Sequence, residues 1–516
     1  MTYFSRINAI ALTVALVITL VTAGISFITL NDYGIVWDEP IYFANGDKHW
    51  DWYKAPRISN IQGFFGIDQQ ADVHPPLRKL LAGMTHDFLT NTFHMVNNTR
   101  GYRISGLLFL VPFVSFYTYY VVSRFGLVAG IITSSLMFFH PAVFALANLV
   151  TLDYAVMTVW FGIGAILLSA ITPARAAAVG ILLGISLLIK AHGLVFALAV
   201  GVWWIIGLIL KRFKLKAYHP ISFRYLLLIF AVGITILIAG WPLLWSDPVD
   251  EYINYLQIQN RHPGVYSQFF GTVSKSPPFW YAPFMIFATM PVGSATLILL
   301  GLITAISAKK PAVYSLIYFS FFPIIFFMLP GVFRYDMVRL FLPALPFLYL
   351  FISYFVKWLL DLVKSRTANS LLASIIILYS AWVIVGSTVY YHPNELSYYN
   401  EALGGIAGAY RLGMDTEIWG WSFKDILPYM NERKGTMFCV FPTTAPFYYY
   451  QAMGQLEGGV IFEAGRGACT YLVVLMRRSM FPTDTLVQRL VDTSKPEYSV
   501  SFQDVPLVSV YKILDL

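Results

Sequence analysis

Ile35-Val36-Trp37-Asp38-Glu39-Pro40-Ile41-Tyr42-Phe43 follows directly on an apolar run at residues 8–30. Two adjacent carboxylates thus sit between a tryptophan and a proline, just past a segment long enough to cross a bilayer. A carboxylate walled by aromatic rings at a bilayer edge is partly desolvated, a state suited to acid–base work. The plainer reading is an acidic cap on a short interfacial helix. The remainder of the chain decides between them.

The chain has 516 residues, of which 58% are hydrophobic and 12% charged, with a mean hydropathy of +0.65. A soluble protein carries roughly a quarter charged residues, so this composition indicates a multi-pass membrane protein. Apolar segments fall near 8–30, 103–122, 127–147, 154–172, 174–190, 193–210, 225–245, 282–306, 312–329, 338–356 and 370–390. These predict about 11 transmembrane helices, an odd number that places the termini on opposite sides. The first run is too long for a signal-peptide core and reads as a retained span. No internal repeat or low-complexity tract interrupts the pattern.

Basic residues set the orientation. One set of loops carries Arg6, Arg124, Arg175, the Lys211–Lys216 cluster with Arg224, Lys309, Lys310, Lys357, Lys364 and Arg366, against little more than Asp361. By the positive-inside rule that side is cytoplasmic, with the N-terminus. The net charge of +8 therefore reports topology and not nucleic-acid binding. The opposite side receives the loop 31–102, the loop 246–281, short turns around Asp153, Lys190 and Arg334, and the tail 391–516. Lys190 and Arg334 sit on short outer turns against the topological preference, which invites a functional reading.

In the first outer loop, residues 35–57 read as an aromatic, amphipathic helix on the membrane surface. Then comes Asp72-Val73-His74-Pro75-Pro76-Leu77-Arg78-Lys79-Leu80-Leu81. Its prolines enforce an extended approach and a helix start at the second. Asn97-Asn98-Thr99 matches a glycosylation sequon by pattern alone. The tail alternates candidate helices at 422–433 and 483–492 with short apolar strands at 437–441, 470–475 and 507–513. It reads as an extracytoplasmic α/β domain, 391–516, following a membrane domain, 1–390. Both cysteines, Cys439 and Cys469, lie in this tail, where they admit a disulfide but no thiolate metal cluster.

Asp153, Lys190, His192 and Arg339 sit at the outer ends of spans, where an ionisable group is costly unless paired or used. Snorkelling to the headgroups explains any one of them. Together with Asp38 and Glu39, however, they form cations beside carboxylates on one face. Arginine can fork two phosphate oxygens and lysine supplies a point charge. A neighbouring carboxylate can take a proton from an attacking hydroxyl.

At these residues the chain resembles the GT-C superfamily of integral-membrane glycosyltransferases, in the branch of dolichyl-phosphate-mannose–protein mannosyltransferases and bacterial polyprenyl-phosphate-sugar transferases. Trp37-Asp38-Glu39-Pro40 resembles the acidic motif of the first outer loop, and His74-Pro75-Pro76-Leu77-Arg78-Lys79-Leu80 the His-Pro-Pro-Leu-x-Lys motif. The stretch from Tyr335 through Arg339 to Pro346 and the segment His392-Pro393-Asn394-Glu395 carry two further matches. The resemblance implies an integral-membrane hexosyl- or pentosyltransferase with a carrier-lipid donor, transfer with inversion, and an extracytoplasmic glycan, lipid or protein acceptor. It implies Asp38 as catalytic base with Glu39 assisting, Lys190 and Arg339 on the donor phosphate, and His74, Lys79 and Asp153 as positioning residues. A divalent metal is used by some members, and Asp38, Glu39 and His74 are candidate donors, although their spacing makes no metal signature. The tail departs from the eukaryotic protein mannosyltransferases, which carry a different soluble domain. The alternative reading is a transporter of polyprenyl-phosphate sugars or lipids, which leaves the acidic outer loop and the globular tail unexplained. An oligosaccharyl ligase would differ in using a pyrophosphate-linked donor.

Overall fold

The computed structural model describes residues 3–67, 73–213, 221–261, 264–463 and 469–513. Asp72, Lys214, Lys216 and the His262-Pro263 pair lie outside the described residues. Each of the eleven apolar segments is helical. Among the described residues, seven helices are long and apolar enough to cross a membrane, and two bent pairs bring the number to nine. Leu152–Leu167 and Pro173–Ile189 are apolar but shorter. Leu12, Leu20, Leu378 and Trp382 lie exposed on helix flanks, where lipid rather than water is the expected neighbour.

The local sequence explains where these helices begin and break. Thr172, Ser222 and Ser365 each accept a backbone N–H at a helix start, satisfying a donor the helix leaves unpaired. The pair Leu127–Phe138 and Pro141–Ala147 is bent by 67°. Pro141 forces His140 into an extended conformation, with ψ of 130°, as expected before a proline. Pro291 lies at the second break, of 116°, between Tyr281–Ala288 and Val292–Ser307.

The first outer loop folds as two helices, Glu39–Lys54 and Leu77–His86, which cross on glycine. A Cβ on Gly46 would meet the Lys79 carbonyl, and one on Gly83 would meet the Gly46 backbone. This crossing fixes the angle at which Asp38, just before the first helix, faces His74, just before the second. The second helix starts at Leu77, one residue beyond Pro76. Arg78 and Lys79, however, are buried and do not face solvent along a membrane surface. Arg78 donates to the carbonyls of Thr151 and Leu149.

The tail carries a five-stranded mixed sheet in the order Ile461–Glu463, Met437–Phe441, Tyr471–Leu475, Val505–Lys512, Tyr498–Phe502. The first three strands are parallel and the last two antiparallel to their neighbours. Strand alternation splits its residues between two cores. Leu472 and Val474 pack with Val487 and Leu490 of the helix Thr485–Thr493. Val473 and Leu475 join the large core that continues into the membrane helices. Cys439 and Cys469 form a disulfide with a Cα–Cα distance of 5.6 Å. Sequence periodicity locates three of the five strands and the helix at 485–493. It leaves out the helix Ala445–Ala452 and the strands Ile461–Glu463 and Tyr498–Phe502.

His392 joins the tail to the first outer loop. Its ring lies 2.7 Å from Glu395 and 3.0 Å from Asp32. Burial alone would lower its pKa, but hydrogen bonds and charge from these carboxylates raise it to about 9. A raised folded-state pKa means the stabilisation is fully present below the ordinary histidine value of about 6.5 and is lost as pH rises through the folded value. The melting temperature of the wild type is therefore expected to fall across that window. His392→Asn should flatten that part of the profile in a thermal-shift series.

Candidate functional site

A cavity of about 340 Å³ opens where the first outer loop meets the outer ends of the spans. Asp38, His74, Lys190, His192, Asp336 and Arg339 are among its lining residues, with Trp37, Tyr42 and Tyr335 as aromatic walls. Residues 37, 74, 190 and 339 are far apart in sequence. Each is delivered by a chain reversal at a helix end, which is where a rigid scaffold can present side chains.

Asp38 occupies the cap position of the helix Glu39–Lys54, yet its side chain makes no capping bond. It stays directed to the cavity, 3.9 Å from the Arg339 guanidinium and 29% exposed. Burial pushes its pKa up to about 6, against the lowering effect of Arg339. The carboxylate is therefore ionised at neutral pH but less strongly acidic than an exposed aspartate, which suits a proton acceptor.

Lys190 ends the helix Pro173–Ile189 and lies 2.6 Å from Asp153. Arg339 lies 3.0 Å from Asp336 and stacks 4.2 Å over the Trp419 ring. Its Nε is buried and has no hydrogen-bond partner among the described residues. The two cations thus line one cavity, each partly balanced by a carboxylate. Lys79 is not in the cavity; its Nζ donates to the His74 carbonyl at 2.6 Å and so holds the His-Pro-Pro turn. His74 lines the cavity, and burial with the nearby Lys190 and Lys79 lowers its pKa well below the usual range. It is neutral at physiological pH.

Glu39 goes elsewhere. Successive helical residues are about 100° apart, and Glu39 turns inward while Asp38 faces the cavity. Its carboxylate is fully buried and receives both arms of Arg103, at 2.6 and 2.8 Å. It also accepts from Val150 N and Val36 N. A role assisting Asp38 in the chemistry, which the resemblance implies, does not fit this geometry. Nor do Asp38, Glu39 and His74 converge as metal donors. Among the described residues, no three His, Cys, Asp or Glu side chains are grouped to hold an ion. Arg334, singled out for its position on an outer turn, donates to the carbonyls of Pro277, Phe327 and Leu329. It fastens two loops together.

Three site neighbours escaped the sequence reading. Asp336 lies between Arg339 and Arg477, 2.7 Å from the latter. Arg477 and Trp419 both come from the tail. The signal for Asp336 was its place in the Tyr335–Arg339 stretch, three residues from Arg339. No local pattern marks Arg477 or Trp419.

The fold and this cavity define a polytopic helical membrane protein with a polar site at the edge of its spans, covered by a sheet-containing C-terminal region. Its fold is similar to that of solved structures of ArnT. ArnT from Cupriavidus metallidurans in the apo state superposes with a TM-score of 0.51 at 14% identity, over 96% of this chain and 97% of that one. The same protein bound to undecaprenyl phosphate gives 0.50 at 14% identity, with the same coverage. The apo oligosaccharyltransferase of Archaeoglobus fulgidus is a weaker likeness, with a TM-score of 0.46 at 10% identity over 98% of this chain and 75% of that one. At such identities the likeness is one of fold. No protein-family profile and no curated protein matches the sequence.

Proposed function

We propose that the protein is a membrane glycosyltransferase that moves a single sugar from a polyprenyl-phosphate donor to a hydroxyl on an extracytoplasmic acceptor. The observation that carries this reading is the shared cavity: one carboxylate free to accept a proton faces two cations at the edge of the spans. Asp38 takes the proton of the acceptor hydroxyl as its oxygen attacks the anomeric carbon. The bond from that carbon to the phosphate oxygen breaks, and its electron pair leaves with the polyprenyl phosphate. Lys190 and Arg339 stabilise the charge on that phosphate. Attack from the side opposite the departing phosphate inverts the anomeric centre. Asp153 and Asp336 hold the two cations in place, and Lys79 and His74 shape the approach.

The placement of the site on the outer face rests on the charge asymmetry of the loops. It is supported by the disulfide in the tail, which belongs to an oxidising compartment. The likeness in fold to ArnT, solved with undecaprenyl phosphate, supports a lipid-phosphate donor. The deciding assay offers purified protein a panel of polyprenyl-phosphate sugars and an acceptor extract, and follows labelled sugar. Release of free polyprenyl phosphate with labelled acceptor is expected. Movement of labelled lipid across a liposome without any transfer would replace this reading with a transporter.

Arg339→Ala is expected to weaken binding of polyprenyl phosphate by about 10- to 100-fold, since hydrogen bonds to charged groups contribute roughly 1.5–3 kcal/mol. Titration of the solubilised full-length protein measures this directly. Unchanged affinity would remove Arg339 from the phosphate site.

A further inference from the structure

The strand Tyr471–Leu475 runs parallel to Met437–Phe441, so their carboxyl ends lie on one edge of the sheet. Open α/β sheets present their ligand crevices on that edge. Here the edge is turned onto the membrane site. Two residues beyond the strand, Arg477 is fully buried. Its guanidinium donates to Asp336 at 2.7 Å, to the Tyr266 carbonyl at 3.0 Å and to the Ile418 carbonyl at 2.5 Å. It also lies 5.1 Å over the Trp37 ring. Trp37 N donates to the Trp419 carbonyl at 3.0 Å. Trp419 in turn supports Arg339, and its turn is held by Glu417, which accepts from Trp419 N and Gly420 N. The tail thereby touches the residue before Asp38 and the counter-ion of Arg339 at once.

The backbone under this contact is unusual. Asp336 and Met337 have φ of 55° and 59°, a left-handed conformation that non-glycine residues hold only where their surroundings over-determine it. Arg477 on Asp336 and the Tyr281 hydroxyl accepting from Met337 N supply that determination.

We infer that Arg477 is a positioning residue for the donor-phosphate cation, so that the C-terminal region is a built-in part of the site. The inference rests on the proposed phosphate role of Arg339. Asp336 is shared by two guanidiniums. Without Arg477, its full charge falls to Arg339, which then has less to offer a phosphate. Without Asp336, the identity of residue 477 matters little to phosphate affinity.

The test is a double-mutant cycle on full-length detergent-solubilised protein, titrated with undecaprenyl phosphate, with thermal melts run alongside. Arg477→Met is expected to weaken binding by about tenfold, a coupling of ordinary size for contacting groups. Asp336→Asn removes the anchor of Arg339 and is itself expected to weaken binding, and the double variant should lie within about threefold of Asp336→Asn. A role confined to holding the fold predicts instead that the double variant is the worst of the three. Should Arg477→Met not fold, Arg477→Lys keeps the charge and gives up the fork, and a loss of about threefold is expected. Wild-type affinity in the folded Arg477 variants, or additive losses in the double, would overturn the inference while leaving the donor reading intact. Failure of the wild type itself to bind would overturn both.

Discussion

Asp38→Asn is expected to abolish sugar transfer, by about 10²- to 10⁴-fold, the usual contribution of a general base, while polyprenyl-phosphate binding persists. The substitution is nearly isosteric. The contact that fixes residue 38 at the head of its helix is Tyr42 N donating to the backbone carbonyl, which the change leaves in place. The side chain makes no capping bond to lose. Its distance of 3.9 Å from Arg339 makes that pairing loose, so Arg339 should meet a phosphate as well or better without it. The same assignment fixes a pH dependence. A base acts only when ionised, and burial sets the Asp38 pKa at about 6. The rate constant kcat/KM should therefore climb with pH up to that region and level off above it, falling tenfold for each unit below. The residual activity of Asp38→Asn should lack this limb. Near-native turnover in the variant would remove Asp38 from the chemistry, whatever the cavity looks like.

How far the sequence led can be judged from Asp38 and Glu39. Hydropathy placed both at the end of a span, because twenty apolar residues in a row have few other uses. The prolines at 75 and 76 located the start of the helix Leu77–His86 to within a residue. What adjacency could not tell is which carboxylate faces the cavity, since that depends on a helical phase set by packing at Gly46 and Gly83. The ion-pair partners were hidden for a different reason. Arg103 lies 64 residues from Glu39, and Arg477 lies 141 from Asp336. No periodicity links such positions. Lys190 and Arg339 were legible because an ionisable group at the outer end of a span is costly unless paired or used, and both line the cavity. Arg334 was singled out as a cation on a short outer turn, and there the cost is met by three backbone carbonyls.

Glu39→Gln is expected to fail differently from Asp38→Asn: it should lose the fold before it loses the reaction. Glu39 and Arg103 are both fully buried. Every hydrogen-bonding direction of the Glu39 carboxylate is used, two by Arg103 and two by the backbone of Val36 and Val150. Arg103 further binds the carbonyls of Leu30, Tyr33 and Gly34, which cross from the first span to the first outer loop. Neutralising one partner leaves a guanidinium buried without its counter-charge and turns an amide NH₂ toward one of its donors. Breaking such a pair costs about 3–5 kcal/mol, a large part of the roughly 5–15 kcal/mol that holds a domain folded. A marked drop in melting temperature and in the yield of monodisperse protein is therefore expected, with turnover lost in proportion to folded protein. Removing both charges, in Glu39→Gln with Arg103→Met, should be milder than Glu39→Gln alone, because no unpaired charge remains. Asp38→Asn, by contrast, should melt like the wild type. If Glu39→Gln instead keeps its melting temperature and loses only turnover, the two carboxylates share the chemistry after all, and the anchoring role assigned to Glu39 falls.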